Sequence, residues 1–557
     1  MSLKNAQNRI MVIGLDCGTL DLIKPWAEAG YLPNLARLVD QGCHGILEST
    51  IPTISPAAWT SFMTGKNPGK HGIYDFMRRR EDTYHMQVIR NDLVAQGTIF
   101  RLISEAGRRV GVINVPMTYP PEPVNGFMIS GLGAPDNDRY TYPPDLVQDI
   151  KAQGYTVNNT VPFSPEQPDI FLRYLKEETD KRAAIILQKL SEEPWDFFMT
   201  VFRDIDTIEA YYWHYMDQTH PLYDPAEGEK YGQAILEYHQ QVDDIIGQMI
   251  ERFGPDGNVI VMSDHGGGPL HKEVYVNNWL AQKGFLTFKS RKEGQDWYRS
   301  ILRNLGLTRE NLQQLLGWNT IERLKSFLPA AANTWFPWQH PNLVDLVDWS
   351  QTKAYSFGHI GQIFINLKGR EPQGIVELGE DYERTVSEIM AALRELTDPE
   401  TGEHVATGIY TKSDIYHGSQ TEHAPDINVI FCDMRYLVHI GMEFAYQDVF
   451  GPIVHHETGT HRLDGMLIAQ GPLFEQGKML DRASICDLAP TLLYLLGLPI
   501  PEDVDGQIVT EMIVPAYQIG HQVEYCPSLT GEFTLAAWTE EEERAVTEHL
   551  KGLGYLE

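Results

Sequence analysis

The sequence has no run of 18 or more apolar residues, so no segment is expected to cross a membrane as a helix. Cysteine is scarce. The five, Cys17, Cys43, Cys432, Cys486 and Cys526, are odd in number, scattered and without CxxC spacing, which argues against a disulfide framework. Positive charge is also short: 45 Lys and Arg face 76 Asp and Glu, a formal net charge of −31. Bulk electrostatics therefore oppose nucleic-acid binding. Repeats and low-complexity tracts are absent. So is a signal-peptide pattern, because Met1 to Arg9 is short and polar and runs directly into the apolar Ile10–Leu15. Together these absences predict a cytoplasmic protein.

What is present is globular in character, with 42% hydrophobic and 10% aromatic residues. A chain of 557 residues is too long for one core, so a large domain with insertions, or two to three domains, is expected. Its acidity would repel an anionic substrate. Carboxylates that gather divalent metal ions would solve this locally, since the ions invert the field.

Several short apolar runs end in acidic residues. Ile10–Leu15 leads to Asp16, Phe197–Phe202 to Asp204 and Asp206, and Val259–Ser263 to Asp264 and His265. Runs of this length read as buried parallel strands, as do Arg109–Val115 and Ile427–Phe431. Between them, Tyr231 to Phe253 spaces Ile235, Tyr238, Val242, Ile245, Met249 and Phe253 three or four apart, an amphipathic helix. The alternation predicts an α/β fold, a mostly parallel central sheet with helices on both faces. Ligands of such sheets sit beyond the carboxyl ends of the strands, where these acidic residues would lie.

Two stretches break the alternation. Lys289 to His340 is helical in pattern and holds Trp297, Trp318, Trp335 and Trp338. From Lys289 to Lys325 it carries eight Lys or Arg against four Asp or Glu, opposite in sign to the whole chain. A solvated helical insertion is the plain reading, and a lid over an anionic substrate the sharper one. The other stretch is the tail after Val514, expected to be peripheral. The predicted division is an α/β core over 8–288 and 346–514, a helical insertion at 289–345 and a tail at 515–557.

Ser55 in Pro52-Thr-Ile-Ser-Pro-Ala-Ala-Trp59 reads as a helix N-cap with Pro56 at the first helical position. Trp59, Phe62 and Met63 would form the buried face, and Gly65 would end the helix. The positive end of a helix dipole welcomes an anion, so a nucleophile attacking phosphate is well placed there. A plain capping serine is the commoner occupant of such a position. Asp264-His265 offers two adjacent metal-binding side chains at a strand end. Asp16 and His461 are weak signals singly, since strand-end acids and loop histidines are common.

Jointly they mean more. Asp16, the Ser55 helix, Asp206, Asp264-His265 and His461 occur in the order found in the alkaline phosphatase superfamily. The strings Thr64-Gly-Lys-Asn-Pro-Gly-Lys-His-Gly72, Val261-Met-Ser-Asp-His-Gly266, Gly459-Thr-His461 and Asp487-Leu-Ala-Pro-Thr-Leu-Leu-Tyr-Leu-Leu-Gly497 resemble its type I phosphodiesterase/nucleotide pyrophosphatase-like group. The resemblance spans roughly residues 9 to 510. It implies an alkaline-phosphatase-like fold and two metal sites. One would use Asp16, Asp264 and His265 with the Ser55 oxygen, the other Asp206, His461 and one more residue. Two such cations can activate a serine oxygen and stabilise the leaving oxygen, giving a covalent phosphoserine that water opens. Ser55 is preferred to Thr53 because it lies ten residues before Gly65, as the family's nucleophile does.

The sequence departs from this pattern where the family has Asp-x-x-x-His. Here the string is Asp206-Thr-Ile-Glu-Ala210, and Ala210 cannot bind a metal. Glu209, on a neighbouring helical face, is the expected substitute, and His214 is too far along the helix. His271 and His456 are the next candidates. Zinc is the expected ion, and an added carboxylate shifts preference toward manganese or magnesium. Ala58 stands where phosphodiesterase relatives often place asparagine. Ser55-Pro-Ala-Ala-Trp59 lacks the sulfatase Cys/Ser-x-Pro-x-Arg motif, which disfavours sulfate esters. The leading expectation is hydrolysis of a small-molecule phosphate monoester or diester. Phosphotransfer to a hydroxyl (a mutase-like reaction) and a degenerate binding protein are the alternatives.

Overall fold

A six-residue apolar run without polar alternation must be covered on both faces, and the central sheet meets that demand. The computed structural model describes residues 8–89, 97–254, 256–289, 343–439, 448–453, 456–528 and 538–552. The strands used below are, in chain order, β1 (Ile10–Leu15), β2 (Cys43–Glu48), β3 (Val110–Val115), β4 (Gly126–Ser130), β5 (Thr141–Tyr142), β6 (Phe197–Phe202), β7 (Asn258–Met262), β8 (Gly266–Pro269), β9 (Ala354–Ser356), β10 (Gln362–Ile365), β11 (Ala406–Thr411), β12 (Ile427–Phe431), β13 (Gly459–Arg462), β14 (Asp464–Gln470), β15 (Lys478–Met479) and β16 (Ala483–Ser484). The helices are α1 (Ser55–Thr64), α2 (Pro168–Glu192), α3 (Asp204–Met216), α4 (Ala234–Phe253), α5 (Glu380–Arg394) and α6 (Glu540–Gly552).

The central sheet runs β15-β2-β14-β7-β1-β6-β3-β4-β5, with β16 also paired to β2. It is parallel apart from β14 and β5. Alternate residues feed two cores. Val12, Met199 and Ile260 pack with Trp59 and Phe62 of α1 on one face. Met11, Ile13, Phe198 and Val261 pack with Ile245 and Met249 of α4 on the other. Helix α4 starts at Ala234, and the Tyr231 end of the expected span belongs to a separate short helix, Pro225–Tyr231.

The register positions the site. Leu15 lies opposite Phe202, and Gly14 opposite Met262, so β1, β6 and β7 end level with one another. Strand β14 runs the other way, so the chain before Asp464 arrives at that same edge.

One strand assignment needs correcting. Residues 427–431 do form a strand, β12, but it is not parallel and not in the central sheet. It pairs antiparallel with β10 and β11 in a separate sheet of order β9-β10-β12-β11. An unalternated run reports burial on both faces, not strand direction. Here Val386, Ile389 and Leu393 of α5 share a core with Ile427 and Val429.

Residues 290–342, and with them the reading of the 289–345 insertion as a lid, lie outside the described residues. At its borders Phe288 and Val347 form an antiparallel bridge. The tail is not peripheral where it is described. Val546 and Leu550 of α6 join the buried apolar cluster of Ile54, Leu132 and Ile360, and Arg139 pairs with Glu542 at 2.8 Å. The tail sequence is acidic on its exposed faces, which masks this apolar stripe. Leu550 is fully buried, so Leu550→Ala is expected to destabilise by about 2–5 kcal/mol. Equilibrium urea unfolding reads this as a lower midpoint, and a loosely attached tail would give no shift.

Candidate active site

Each candidate residue reaches the site by a different element. Asp16 follows β1 and Asp264-His265 follow β7, at strand ends already shown to be level. Asp206 lies in the first turn of α3, directly after β6. His461 sits on β13, which pairs antiparallel with β8 so that His461 faces Gly267. Ser55 is the first residue of α1, and the cap position is Ile54, one residue earlier than expected. The serine hydroxyl therefore does not cap the helix. Its Oγ lies 3.3 Å from His265 Nε2.

Donor atoms of Asp16, Asp264 and His265 all lie within 4.8 Å of one another, as do those of Asp206, His265 and His461. The His265 and His461 rings stack with centroids 3.8 Å apart. His461 Nδ1 is 2.9 Å from the Thr53 carbonyl oxygen, which leaves Nε2 toward Asp206 Oδ1 at 3.6 Å. Trp59 Nε1 donates to Asp16 Oδ2 at 3.4 Å, and the Cys17 backbone N–H to Asp264 Oδ1 at 3.4 Å. Asp16 Oδ1 and Asp264 Oδ2 are buried without a hydrogen-bond partner among the described residues.

Electrostatics sharpen the picture. Burial, then the charges of Asp264 and Asp206, push the Asp16 carboxyl well above its usual range. Burial pushes Asp264 up to about 7, partly against the charge of His461. Burial holds His265 neutral, well below the usual imidazole value. Two buried carboxyls with orphaned oxygens beside a neutral imidazole fit a divalent cation, which would replace the protons they otherwise need.

Other candidates go elsewhere. Glu209 belongs to neither donor group; its Oε1 lies 3.5 Å from His239 Nε2, and its other oxygen lies against Gly267. Three residues along the helix turn it from the Asp206 side toward the interior, where burial and Asp206 hold it well above the usual carboxylate range. His214 Nδ1 is 2.9 Å from Thr458 Oγ1. The His271 ring faces His220, and the His456 ring faces Phe163. None of these histidines joins a donor group.

Glu457 was overlooked. It lines the same cavity as Asp206, Ala210 and His461. Burial and the charge of Asp206 push its carboxyl up to about 7. The Thr458 N–H donates to the Ala210 carbonyl at 2.6 Å, and a Cβ on Gly459 would stand 2.3 Å from the Glu209 carbonyl oxygen. The loop thus lies directly on the helical turn where the family's histidine is missing. The available signal was position, four residues before His461 in one loop.

Residues 10–439 match the type I phosphodiesterase/nucleotide pyrophosphatase family. The chain belongs to this family. It is a phosphoric ester hydrolase. Among solved structures it is similar to phosphonoacetate hydrolase from Sinorhizobium meliloti 1021, at 14% identity over 88% of this chain and 95% of that one, with a TM-score of 0.50. It is also similar to human ectonucleotide pyrophosphatase/phosphodiesterase 5, at 13% identity over 88% and 95%, with a TM-score of 0.47. At such identity the likeness is one of fold. No curated protein sequence matches.

The raised carboxyls give a pH prediction for the cation-free hydrolase. Between about pH 4 and 7 the folded state holds a proton on Asp264 that the unfolded chain has released, so this group's contribution to stability is lost as pH rises. A bound cation removes that cost. Adding Mn²⁺ should therefore raise the thermal midpoint more at pH 8 than at pH 5. Equal shifts at both would mean that these carboxyls do not hold the ion.

Proposed function

We propose that this enzyme cleaves a phosphoester with Ser55 as nucleophile, through a covalent phosphoserine. The observation that carries the reading is the Ser55 Oγ beside His265, inside the cavity shared with Asp16, Asp206 and His461. Asp16, Asp264 and His265 would hold one divalent cation, with Ser55 Oγ as a further ligand. His265 Nε2 can serve one ion only, so a second ion on Asp206 and His461 needs another donor. Glu457, outside both donor groups as Glu209 is, is assigned this role because it lines the cavity with Asp206, Ala210 and His461. Each group then offers two carboxylates and one imidazole, so zinc is the expected ion, with manganese or magnesium the alternatives. When bound, such ions supply Lewis-acid charge that acidifies the serine hydroxyl and offsets the phosphoryl charge.

Ser55 Oγ forms the new bond to phosphorus as the ester oxygen leaves. Water then breaks the serine–phosphorus bond and returns the hydroxyl. Helix α1 directs its positive end at the phosphoryl group throughout. The fully buried Trp59 one turn on fixes the helix and, through its N–H, the Asp16 carboxyl. Whether the scissile group is a monoester or a diester depends on the room around the leaving group. The family's chemistry favours the diester or pyrophosphate.

Ser55→Ala should leave a folded protein with turnover lowered by at least 10³-fold, an order-of-magnitude expectation for a lost nucleophile. Acid quenching of wild type with a ³²P-labelled phosphoester should label Ser55. A labelled Ser55→Ala protein would sink the assignment.

Glu457→Gln should lower metal content by up to one ion per chain, measured by elemental analysis after equilibrium dialysis. Adding Ala210→His to it should restore the ion, since position 210 is one turn from Asp206. Glu209→Ala should leave the metal content unchanged. Loss of metal with Glu209→Ala and none with Glu457→Gln would return the role to Glu209.

A further inference from the structure

Among the described residues that line the catalytic cavity, Arg203 is the only Arg or Lys, and it is 4% exposed. It stands between the end of β6 and the start of α3, three residues before Asp206. Its one ion pair among the described residues is with the adjacent Asp204, where Nη2 lies 3.4 Å from Oδ1. That carboxylate is already engaged. Arg182 pairs with its other oxygen, and Asn159 Nδ2 donates to Oδ1 at 2.9 Å. Two guanidinium charges therefore share one carboxylate, and a positive charge is left over at the cavity wall. Arg203 Nη1 is buried with no hydrogen-bond partner among the described residues. The surplus is felt nearby: burial and then Arg203 push the His549 imidazole on α6 down to about 3.

A buried cation left over in this way is costly unless a ligand pairs with it. In a chain of net charge −31 it is not there to offset general acidity. Asp16, Asp206 and Glu457 in the same cavity would be matched by the expected metal ions, which leaves the guanidinium for the substrate. Ile54, Leu132, Ile360 and Leu437 line the cavity as well, and Arg203 belongs to neither metal-donor group. A guanidinium so placed suits an oxyanion other than the one the metals would hold.

We propose that Arg203 is a specificity-determining residue that binds a second anionic group, so the enzyme's substrates are phosphoesters carrying a phosphate or carboxylate besides the reacting phosphoryl group. This rests on the phosphoester reading above, which Ser55 labelling tests separately. Equilibrium binding tests the new step without turnover. Isothermal titration of the Mn²⁺-saturated protein would compare methylphosphonate with methylenebisphosphonate and 3-phosphonopropionate, which add a second phosphonate or a carboxylate. Wild type should bind at least one two-anion ligand tenfold or more tighter than methylphosphonate. Arg203→Gln should erase most of that margin while changing methylphosphonate binding by less than about threefold, and Arg203→Lys should keep part of it. Whichever two-anion ligand carries the margin identifies the second anion as phosphate-like or carboxylate. The proposal is overturned by no margin in wild type, by a margin that survives in whichever variant folds, or by equal weakening of all three ligands. The last result would place the guanidinium on the reacting phosphoryl group instead.

Discussion

The site is organised by mutual repulsion. Asp16, Asp206 and Asp264 converge at the sheet edge, and Asp16 and Asp264 are buried. Like charges at such separations in a medium of low polarity cannot all ionise without a counter-charge. No lysine or arginine approaches the Asp16–Asp264–His265 group closely enough to form an ion pair among the described residues. The protein's own answer is partial: Asp206 stays ionised against His461, while Asp16 and Asp264 are driven toward their protonated forms. A divalent cation is the natural completion. Folding energy spent on burying these groups becomes affinity for the metal.

That strain is tolerable because the scaffold is stiff. Strands β1, β6 and β7 end in register, and side chains from both faces of each strand are packed in separate cores. A Cβ at Gly14 of β1 would come within 2.7 Å of the Trp59 ring, so α1 lies as close to the sheet as glycine allows. Ser55 inherits its position from that contact, and Asp16 shares it through the tryptophan N–H. Ser55 and the Asp16 carboxylate are thus located by one aromatic side chain.

Much of this was legible in the residues. The apolar runs ending in Asp16, Asp206 and Asp264 locate the sheet edge, because burial on both faces and a terminal acid are both written locally. Strand direction was not: β12 is as apolar as β7 but pairs antiparallel in another sheet. Nor was the packing of α6, whose buried contribution rests on isolated apolar residues such as Val546 and Leu550 within an acidic helix. Glu209 was chosen because helical spacing places it near Asp206. Yet three residues of rotation sufficed to face it toward His239. Glu457 lay in a loop, and no periodicity connects a loop carboxylate with a helix some 250 residues earlier. Arg203 was hidden for the opposite reason: an arginine next to an aspartate reads as a local ion pair, and only the structure reveals that Arg182 has already claimed the partner.

With Glu457 in place of a helical histidine, a second ion would be held differently. A histidine at 210 would be tied to Asp206 by one turn of α3, so both ligands would move as one body. Glu457 instead belongs to the segment leading into β13, which also carries His461. Two donors would then come from the β13 side and one from α3, joined by the Thr458–Ala210 hydrogen bond at 2.6 Å. The metal itself becomes part of the link between these elements. Protons would also compete with that ion for a carboxylate pushed up to about 7. A second site so built would couple ion occupancy to the docking of the β13 loop on α3, while the first, built on the ends of two adjacent strands, would not need that docking to hold its shape.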